Sequence, residues 1–448
     1  MHFGFEPYIA FIEYVSYIVV IFLTIFWRPV IGIFFLLPMI PMETIRYRIN
    51  DLPLGHSLFV VTLLSVVLGL IRLGKPVLPK TPWTNLLCIY AAYTFVSLCQ
   101  GSLYLGQSLP IPSSARFSVW HDYMAMPALL FLTAAVEPTR VQMKAMVIVM
   151  CVATLAVDHS FWGAISGRDF STFSSDLRDA GSIGDAGSNG LAAFEAQTTT
   201  FLLAIASFER KVLLRLGYLG IAVFSTICTM YSFSRGGYLA LLVGFLFLGL
   251  VRQRTLLVLL ILFFWVGTSL VPGAVQQRVL MTYDQTSGSL DHSAVTRFTL
   301  WEDAMQVFSG NPVMGTGFAT YAYMHRIGNY QDTHNLFLKV LLETGVVGLL
   351  LFLWLLARTF GTAYQLFRHA EDPFVASLGL SLAGWVVCAI VANAFGDRWT
   401  FLQVNGYMWV LGGLVARGWV LQQNETPVRA SEVVSDAGYL LETATEEA

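Results

Sequence analysis

The chain has 448 residues, of which 56% are hydrophobic and only 12% are charged. A soluble protein has about a quarter of its residues charged, so the composition excludes a soluble globular protein and indicates an integral membrane protein. The formal net charge of -2 gives no reason to expect a nucleic-acid partner. All five cysteines lie in or beside apolar segments, and their spacing predicts neither a disulfide framework nor a metal site.

Apolar segments recur along most of the chain. Because about 20 apolar residues cross a bilayer, the pattern predicts an all-α polytopic membrane protein with about twelve or thirteen transmembrane helices. The second segment is short, which leaves open that it is fused with the first or is re-entrant. The predicted spans lie near 8–26, 29–43, 54–72, 84–105, 120–136, 141–159, 189–208, 212–232, 235–251, 254–271, 336–356, 374–396 and 399–419.

The positions of Lys and Arg between the spans set the orientation, because cytoplasmic loops are enriched in both. They predict that residues 106–119, 160–188 and 272–335 are exofacial, and no removable signal peptide is expected. The expected organisation is a membrane bundle over 1–271 with an exofacial loop at about 160–188, an exofacial segment over 272–335, C-terminal membrane helices over 336–420 and a polar cytoplasmic tail over 421–448.

Every basic residue on the predicted exofacial side is an arginine, which favours fixed, forked recognition of phosphate over a general basic surface. These arginines are Arg46, Arg48, Arg116, Arg168, Arg178, Arg235, Arg278, Arg297, Arg326 and Arg398.

The long polar segment 272–335 is the predicted centre of function. Within it, Thr296–Gly310 reads as an amphipathic helix lying along the membrane surface, because apolar residues recur at helical spacing. Arg297 falls in the first turn of this predicted helix, and His334 falls at the start of the next span. We therefore expect the two side chains to meet in one layer, which we interpret as the active site.

Arg235 stands at the outer end of a span and is followed by Gly236 and Gly237, which permit close approach of a backbone or a ligand. An arginine at membrane depth is costly unless it is paired or lines a wet cavity, although a long side chain can also reach the interface. Arg297 can likewise be a solvated surface residue. However, a cation in the first turn opposes the helix dipole unless an anion binds there as well.

His334 can be an ordinary polar residue at the membrane boundary. Its place at the positive end of a helix favours the neutral ring, and Asp332 is close enough to orient it. Asp332 or Thr333 is expected to cap the span. Below His334, the spacing of Lys339 and Glu343 predicts an ion pair of structural importance.

The sequence contains no Asp-x-Asp pair, no Gly-rich phosphate loop and no HExxH motif. We therefore expect neither a metal nor a cofactor.

Three separated stretches resemble one family. They are SFSRGGYLALLVG, TRFTLWEDAMQVFSGNPVMGTGFATY and DTHNLFLKVLLETGVVGLLLFL. In this order they resemble the O-antigen ligase and O-antigen polymerase superfamily of bacterial envelope enzymes, over about Tyr231 to Leu356. The first two hundred residues resemble it only in hydropathy and in the loop RDAGSIGDAGSNGLA.

The resemblance implies a membrane glycosyltransferase C-like fold in the bacterial inner membrane, with the active site on the periplasmic side. It implies a metal-independent, inverting transfer of a glycan from undecaprenyl diphosphate to an acceptor hydroxyl. The family's motif residues fall on Arg235, Arg297 and His334, which are expected to be catalytic. The residues expected to help bind the substrate are Arg178, Arg326 and Asn335, together with Arg235 and Arg297.

The expected partners are the lipid-linked glycan donor, membrane lipids, and a glycan or lipid A-core acceptor. An O-antigen ligase is favoured over a repeat-unit polymerase, because the ligase branch commonly has one long exofacial loop with such a helix. A transporter of lipid-linked sugars and a non-catalytic assembly partner are the other readings.

Overall fold

The computed structural model describes residues 6–265, 271–281, 292–328 and 332–423, and these contain helices but no β-strand. Within these ranges six helices are long and apolar enough to cross a membrane, which confirms the prediction of an all-α, multi-pass membrane protein. They are α1 (Glu6–Phe26), α5 (Thr84–Tyr104), α7 (Arg140–Ile165), α9 (Val212–Tyr231), α15 (Leu336–His369) and α16 (Pro373–Ala394).

Further helices occupy the remaining predicted spans. They are α2 (Val30–Met39), α4 (Leu58–Arg72), α6 (Ala115–Ala135), α8 (Gly187–Ala206), α10 (Arg235–Val251), α11 (Arg254–Trp265) and α17 (402–423). With 10 residues, α2 is about 15 Å long, which is half the hydrocarbon thickness. It therefore cannot cross a bilayer alone.

Other helices lie between the predicted spans. They are α3 (Glu43–Tyr47), two 3-10 helices (Ser175–Leu177 and Gly181–Ala186), α12 (Gly273–Leu280), α13 (His292–Gly310) and α14 (Tyr321–Met324). The predicted polar tail lies, from residue 424 onward, outside the described residues.

Helix α8 forms the centre of the bundle, since every residue from Gly190 to Ala206 is buried. It packs against α9, α10 and α16. Contact with α10 is close because a Cβ atom at Gly244 would lie 2.4 Å from Oγ1 of Thr200. Small residues at such contacts let transmembrane helices approach one another, and this contact packs the later turns of α8 and α10 side by side.

Helix α15 is interrupted at Gly345, whose φ of 67° is left-handed. The preceding segment 311–320 fills the interruption. Its Thr316 amide donates to the Leu342 carbonyl at 3.0 Å, and its Pro312 carbonyl accepts from the Val346 amide at 2.9 Å. Backbone groups freed by a break in a membrane helix need such partners, so this segment and α15 form one unit.

The carboxylate of Glu343 strengthens this unit by accepting hydrogen bonds from the amides of Ala319 and Tyr321, each at 3.1 Å. Glu343 and Lys339 interact through their charges, but Glu343 is not the close ion-pair partner of Lys339 that the spacing predicts. Nζ of Lys339 instead lies 2.8 Å from Oδ2 of Asp397, in the turn between α16 and α17. Asp397, which is distant in sequence, is thus a closer partner of Lys339 than Glu343 on the same helix.

Helix α13 begins at His292, four residues before the predicted start. It docks on α15, with Leu300 and Ala304 fully buried, while Val295 and Phe298 are about half exposed. One face of this amphipathic helix therefore packs against α15, and another face exposes apolar residues.

Candidate active site

A cavity of about 270 Å³ lies where the first residues of α8 and α10 meet the turn before α15. Five arginines from five different segments converge on it, together with His334. The arginines are Arg178, Arg235, Arg278, Arg297 and Arg398, and the neutral polar residues are Asn189, Ser234 and Thr296. Among the described residues, no acidic side chain lines this cavity.

Arg235 is the first residue of α10. Ser234 caps this helix by accepting a hydrogen bond from the Gly237 amide at 3.4 Å, and its own hydroxyl donates to Oδ1 of Asn189 at 2.8 Å. A Cβ atom at Gly237 would lie 2.4 Å from that of Ala192 on α8. The sequence Ser-Arg-Gly-Gly therefore supplies a cap, a cation and a close helix contact in that order.

His334 lies two residues before the first residue of α15. Its φ of 50° is left-handed, a conformation that is uncommon for non-glycine residues, although histidine adopts it more often than most. The residue that caps α15 is Asn335, whose side chain accepts from the Leu338 amide at 3.2 Å. The prediction that Asp332 or Thr333 is the cap is therefore wrong.

Asp332 holds His334 in two ways. Its Oδ1 atom accepts from the His334 amide at 2.6 Å and lies 2.7 Å from the ring Nδ1. If Nδ1 carries the proton, as this carboxylate favours, Nε2 is the basic nitrogen of the neutral ring. Burial raises the pKa of Asp332, but the hydrogen bonds and charge of His334 outweigh it and lower the pKa from 3.8 to about 2.

Arg297 reaches the cavity because α13 is fixed against the turn before α15. One turn beyond it, the Trp301 indole donates to the Thr333 carbonyl at 3.0 Å. Since α13 begins at His292, Arg297 lies in its second turn. The prediction of a first-turn position is wrong, and the helix-dipole argument for an anion at Arg297 loses its basis.

Arg178 and the segment that carries it close one side of the cavity. One of its Nη atoms donates to Oδ1 of Asn189 at 2.8 Å. Burial lowers the pKa of Arg178, and the positive charges of Arg398, Arg297 and Arg235 lower it further. The cavity is therefore a region of strongly positive potential that favours an anionic ligand.

Arg278 and Arg398 were not singled out by the sequence analysis. Nε of Arg278 donates to the Phe233 carbonyl at 3.3 Å, and its guanidinium lies 4.9 Å from the Phe173 ring centroid. Arg398 lies in the turn between α16 and α17, and burial lowers its pKa. The sequence pattern that points to both is the restriction of predicted exofacial basic residues to arginine.

Two residues expected to bind the substrate lie elsewhere. Nε of Arg326 is 2.8 Å from Oδ1 of Asp303, and the side chain of Asn335 is the helix cap described above. Neither lines the cavity.

The part of the chain that the structure describes contains no group of three or more His, Cys, Asp and Glu side chains that could hold a metal ion.

Comparison with known proteins finds one matching family. Residues 220–353 match the family model described as O-antigen ligase, and this segment contains Arg235, Arg278, Arg297 and His334. No curated protein matches the chain significantly. This match over residues 220–353 confirms the resemblance to the superfamily of O-antigen ligases and polymerases.

Proposed function

We propose that the protein is a metal-independent, inverting glycosyltransferase that moves a glycan from undecaprenyl diphosphate to an acceptor hydroxyl. The reaction takes place on the periplasmic side of the bacterial inner membrane. The observation that carries this proposal is the convergence of five arginines and one carboxylate-bound histidine on a single cavity.

The arginines suit the donor. A diphosphate leaving group already carries negative charge, so it needs cations rather than a proton when its bond to the sugar breaks. Arg235 and Arg297 can grip it through forked, charge-assisted hydrogen bonds. Arg278 extends this set, because its contact with the Phe233 carbonyl places it beside the first turn of α10.

His334 suits the acceptor. The acceptor oxygen attacks the anomeric carbon while its proton passes to Nε2 of His334. The bond between the anomeric carbon and the diphosphate oxygen breaks, and undecaprenyl diphosphate departs with the electron pair. Attack opposite the leaving group inverts the anomeric centre. The ionised Asp332 stabilises the imidazolium that forms.

An O-antigen ligase, which uses lipid A-core as acceptor, is the favoured assignment. The long segment between α11 and α15, with α13 docked over the site, is the feature that supports it. A repeat-unit polymerase would use the same donor machinery with a second glycan as acceptor.

The test is an assay of purified protein with undecaprenyl diphosphate-linked glycan, a chelator and two acceptors, lipid A-core and a lipid-linked repeat unit. Product with lipid A-core alone supports the ligase, and extension of the repeat unit alone indicates the polymerase. Loss of activity on adding chelator contradicts the metal-independent mechanism. Movement of the donor across liposomes without transfer to either acceptor would replace the enzyme with a transporter.

A further inference from the structure

Two of the five cavity arginines, Arg178 and Arg398, lie outside the set assigned to the donor diphosphate. The arginines repel one another, as the effect of three neighbours on the pKa of Arg178 shows. A second anionic group bound in the same cavity would relieve this repulsion.

The contacts of the arginines sort them into two groups. Arg278 contacts the Phe233 carbonyl next to the α10 cap, so it belongs with Arg235. The charge of Arg398 interacts with that of Asp332, the carboxylate that holds the His334 ring. Arg178 has contacts with both groups, because it bonds Asn189 beside Ser234 and is repelled by Arg398.

The position of Arg398 is fixed by its backbone. Its amide donates to Oδ1 of Asn393 at 2.8 Å, and its carbonyl accepts from Nδ2 of Asn405 at 2.6 Å. Both carboxylates near it are committed to other partners, Asp332 to His334 and Asp397 to Lys339. The guanidinium lines the cavity, and one of its Nη atoms lies 3.5 Å from the carbonyl oxygen of Asp397. The fixed backbone and this contact limit where the guanidinium can lie, as a preorganised ligand-binding group requires.

We propose that Arg398 and Arg178 form a second anion subsite, which binds a phosphate or carboxylate group carried by the acceptor close to the hydroxyl that is attacked. This inference rests on the proposed function. The base must lie within hydrogen-bond reach of the acceptor hydroxyl, and Arg398 flanks the carboxylate that orients that base. A forked guanidinium fits phosphate and carboxylate better than a neutral hydroxyl.

The binding test uses purified protein saturated with undecaprenyl diphosphate, into which inorganic phosphate is titrated calorimetrically. Phosphate is expected to bind the saturated wild type. Arg398→Gln should weaken that binding at least about tenfold while changing the affinity for undecaprenyl diphosphate less than about twofold. Arg48→Gln, at an exposed arginine paired with Glu13, should change neither.

Complete competition between phosphate and undecaprenyl diphosphate overturns the second subsite, as does an equal effect of Arg398→Gln on both ligands. If undecaprenyl diphosphate does not bind at all, the proposed function fails. Phosphate binding that still depends on Arg398 then supports the anion subsite, and phosphate binding independent of Arg398 overturns it.

The kinetic test compares one phosphorylated acceptor before and after phosphatase treatment. Dephosphorylation should raise the acceptor KM of the wild type at least about tenfold and leave that of Arg398→Gln almost unchanged, while Arg398→Lys recovers part of the preference. An equal KM for both acceptor forms in the wild type contradicts an acid on the acceptor. Dependence on an acid in the donor glycan instead would assign the subsite to the donor.

Discussion

Nδ1 of His334 lies 2.7 Å from Oδ1 of Asp332, and the backbone amide of the same histidine donates to that oxygen at 2.6 Å. One carboxylate oxygen thus fixes both the ring and the left-handed backbone of the proposed base. A non-glycine residue in this conformation costs on the order of 1 kcal/mol, and the contacts with Asp332 offset that cost.

Asp332→Asn should lower kcat by about 100- to 10,000-fold and leave the donor KM within about twofold. An amide can present its NH₂ group to Nδ1, which favours the wrong tautomer, and it cannot stabilise the imidazolium. Steady-state kinetics with a lipid-linked glycan provides the measurement. The control is Asp122→Asn, because Asp122 forms an exposed pair with His121 on α6 at 3.1 Å, outside the cavity. Equal effects of the two substitutions would contradict the assigned role.

The lowered pKa of Asp332 predicts how stability depends on pH. A carboxyl whose folded pKa lies below its unfolded value of about 3.9 contributes stability above that value and loses it as the pH falls through the folded pKa. With a folded pKa of about 2, the difference in thermal midpoint between wild type and Asp332→Asn should not fall between pH 7 and about 4, because Asp332 stays ionised over this range. The difference should then shrink towards pH 2. A difference that already shrinks between pH 7 and 5 would show that the pKa is not lowered.

Removing a cavity arginine should impair transfer. Arg235→Gln and Arg297→Gln are each expected to lower kcat/KM about 100-fold or more, because each removes a charged donor aimed at the leaving group. Lysine at either position should recover only part of the activity, since it keeps the charge without the fork. Arg48→Gln, at an exposed arginine outside the cavity, is the matched control. Wild-type activity in Arg235→Gln would remove this residue from the mechanism.

Some site residues could be predicted from the sequence because short sequence patterns around them determine where they lie. Arg235 follows a serine cap, and His334 stands in an Asp-Thr-His-Asn turn, so each lies at the start of a helix wherever that helix packs. Their meeting follows from the predicted topology, because both helices begin on the same side of the membrane. Arg297 was predicted to lie in the same layer as His334, and both residues line the cavity. The start of its helix was predicted four residues too late.

The residues that the sequence analysis missed depend on tertiary contacts. Arg398 resembles any arginine at the end of a span, and only the packing of α16 and α17 beside α15 brings it to the cavity. Lys339 was matched to Glu343 by spacing along one helix, whereas Asp397 approaches it from a distant turn. The stretch Leu-Glu-Thr-Gly-Val-Val reads as continuous helix, since nothing local shows that segment 311–320 enters at Gly345.

Glu343 should contribute to stability through this inserted segment. Glu343→Ala leaves the buried amides of Ala319 and Tyr321 without their acceptor, so we expect a loss of roughly 2–4 kcal/mol, since hydrogen bonds to a charged group are among the stronger ones. Glu343→Gln should lose less, because its carbonyl oxygen can still accept. Thermal unfolding in detergent gives the measurement. Glu302→Ala, at an exposed position on α13, should have little effect, and an equally mild effect of Glu343→Ala would contradict the assigned contacts.

Gly345 provides the sharpest test of the interrupted helix, because α15 contains a second glycine for comparison. A Cβ atom at Gly345 would lie 2.1 Å from the Val313 carbonyl oxygen, and its φ of 67° adds about 1–2 kcal/mol for any L side chain. Gly361 has no heavy atom within 4 Å of such a Cβ position. Gly345→Ala should therefore lower the thermal midpoint and the activity, since the segment that packs on α15 must shift. Gly361→Ala should leave both unchanged or raise the midpoint, because alanine favours a helix over glycine by about 1 kcal/mol. If the two variants behave alike, α15 is a continuous helix and segment 311–320 does not pack into it at Gly345.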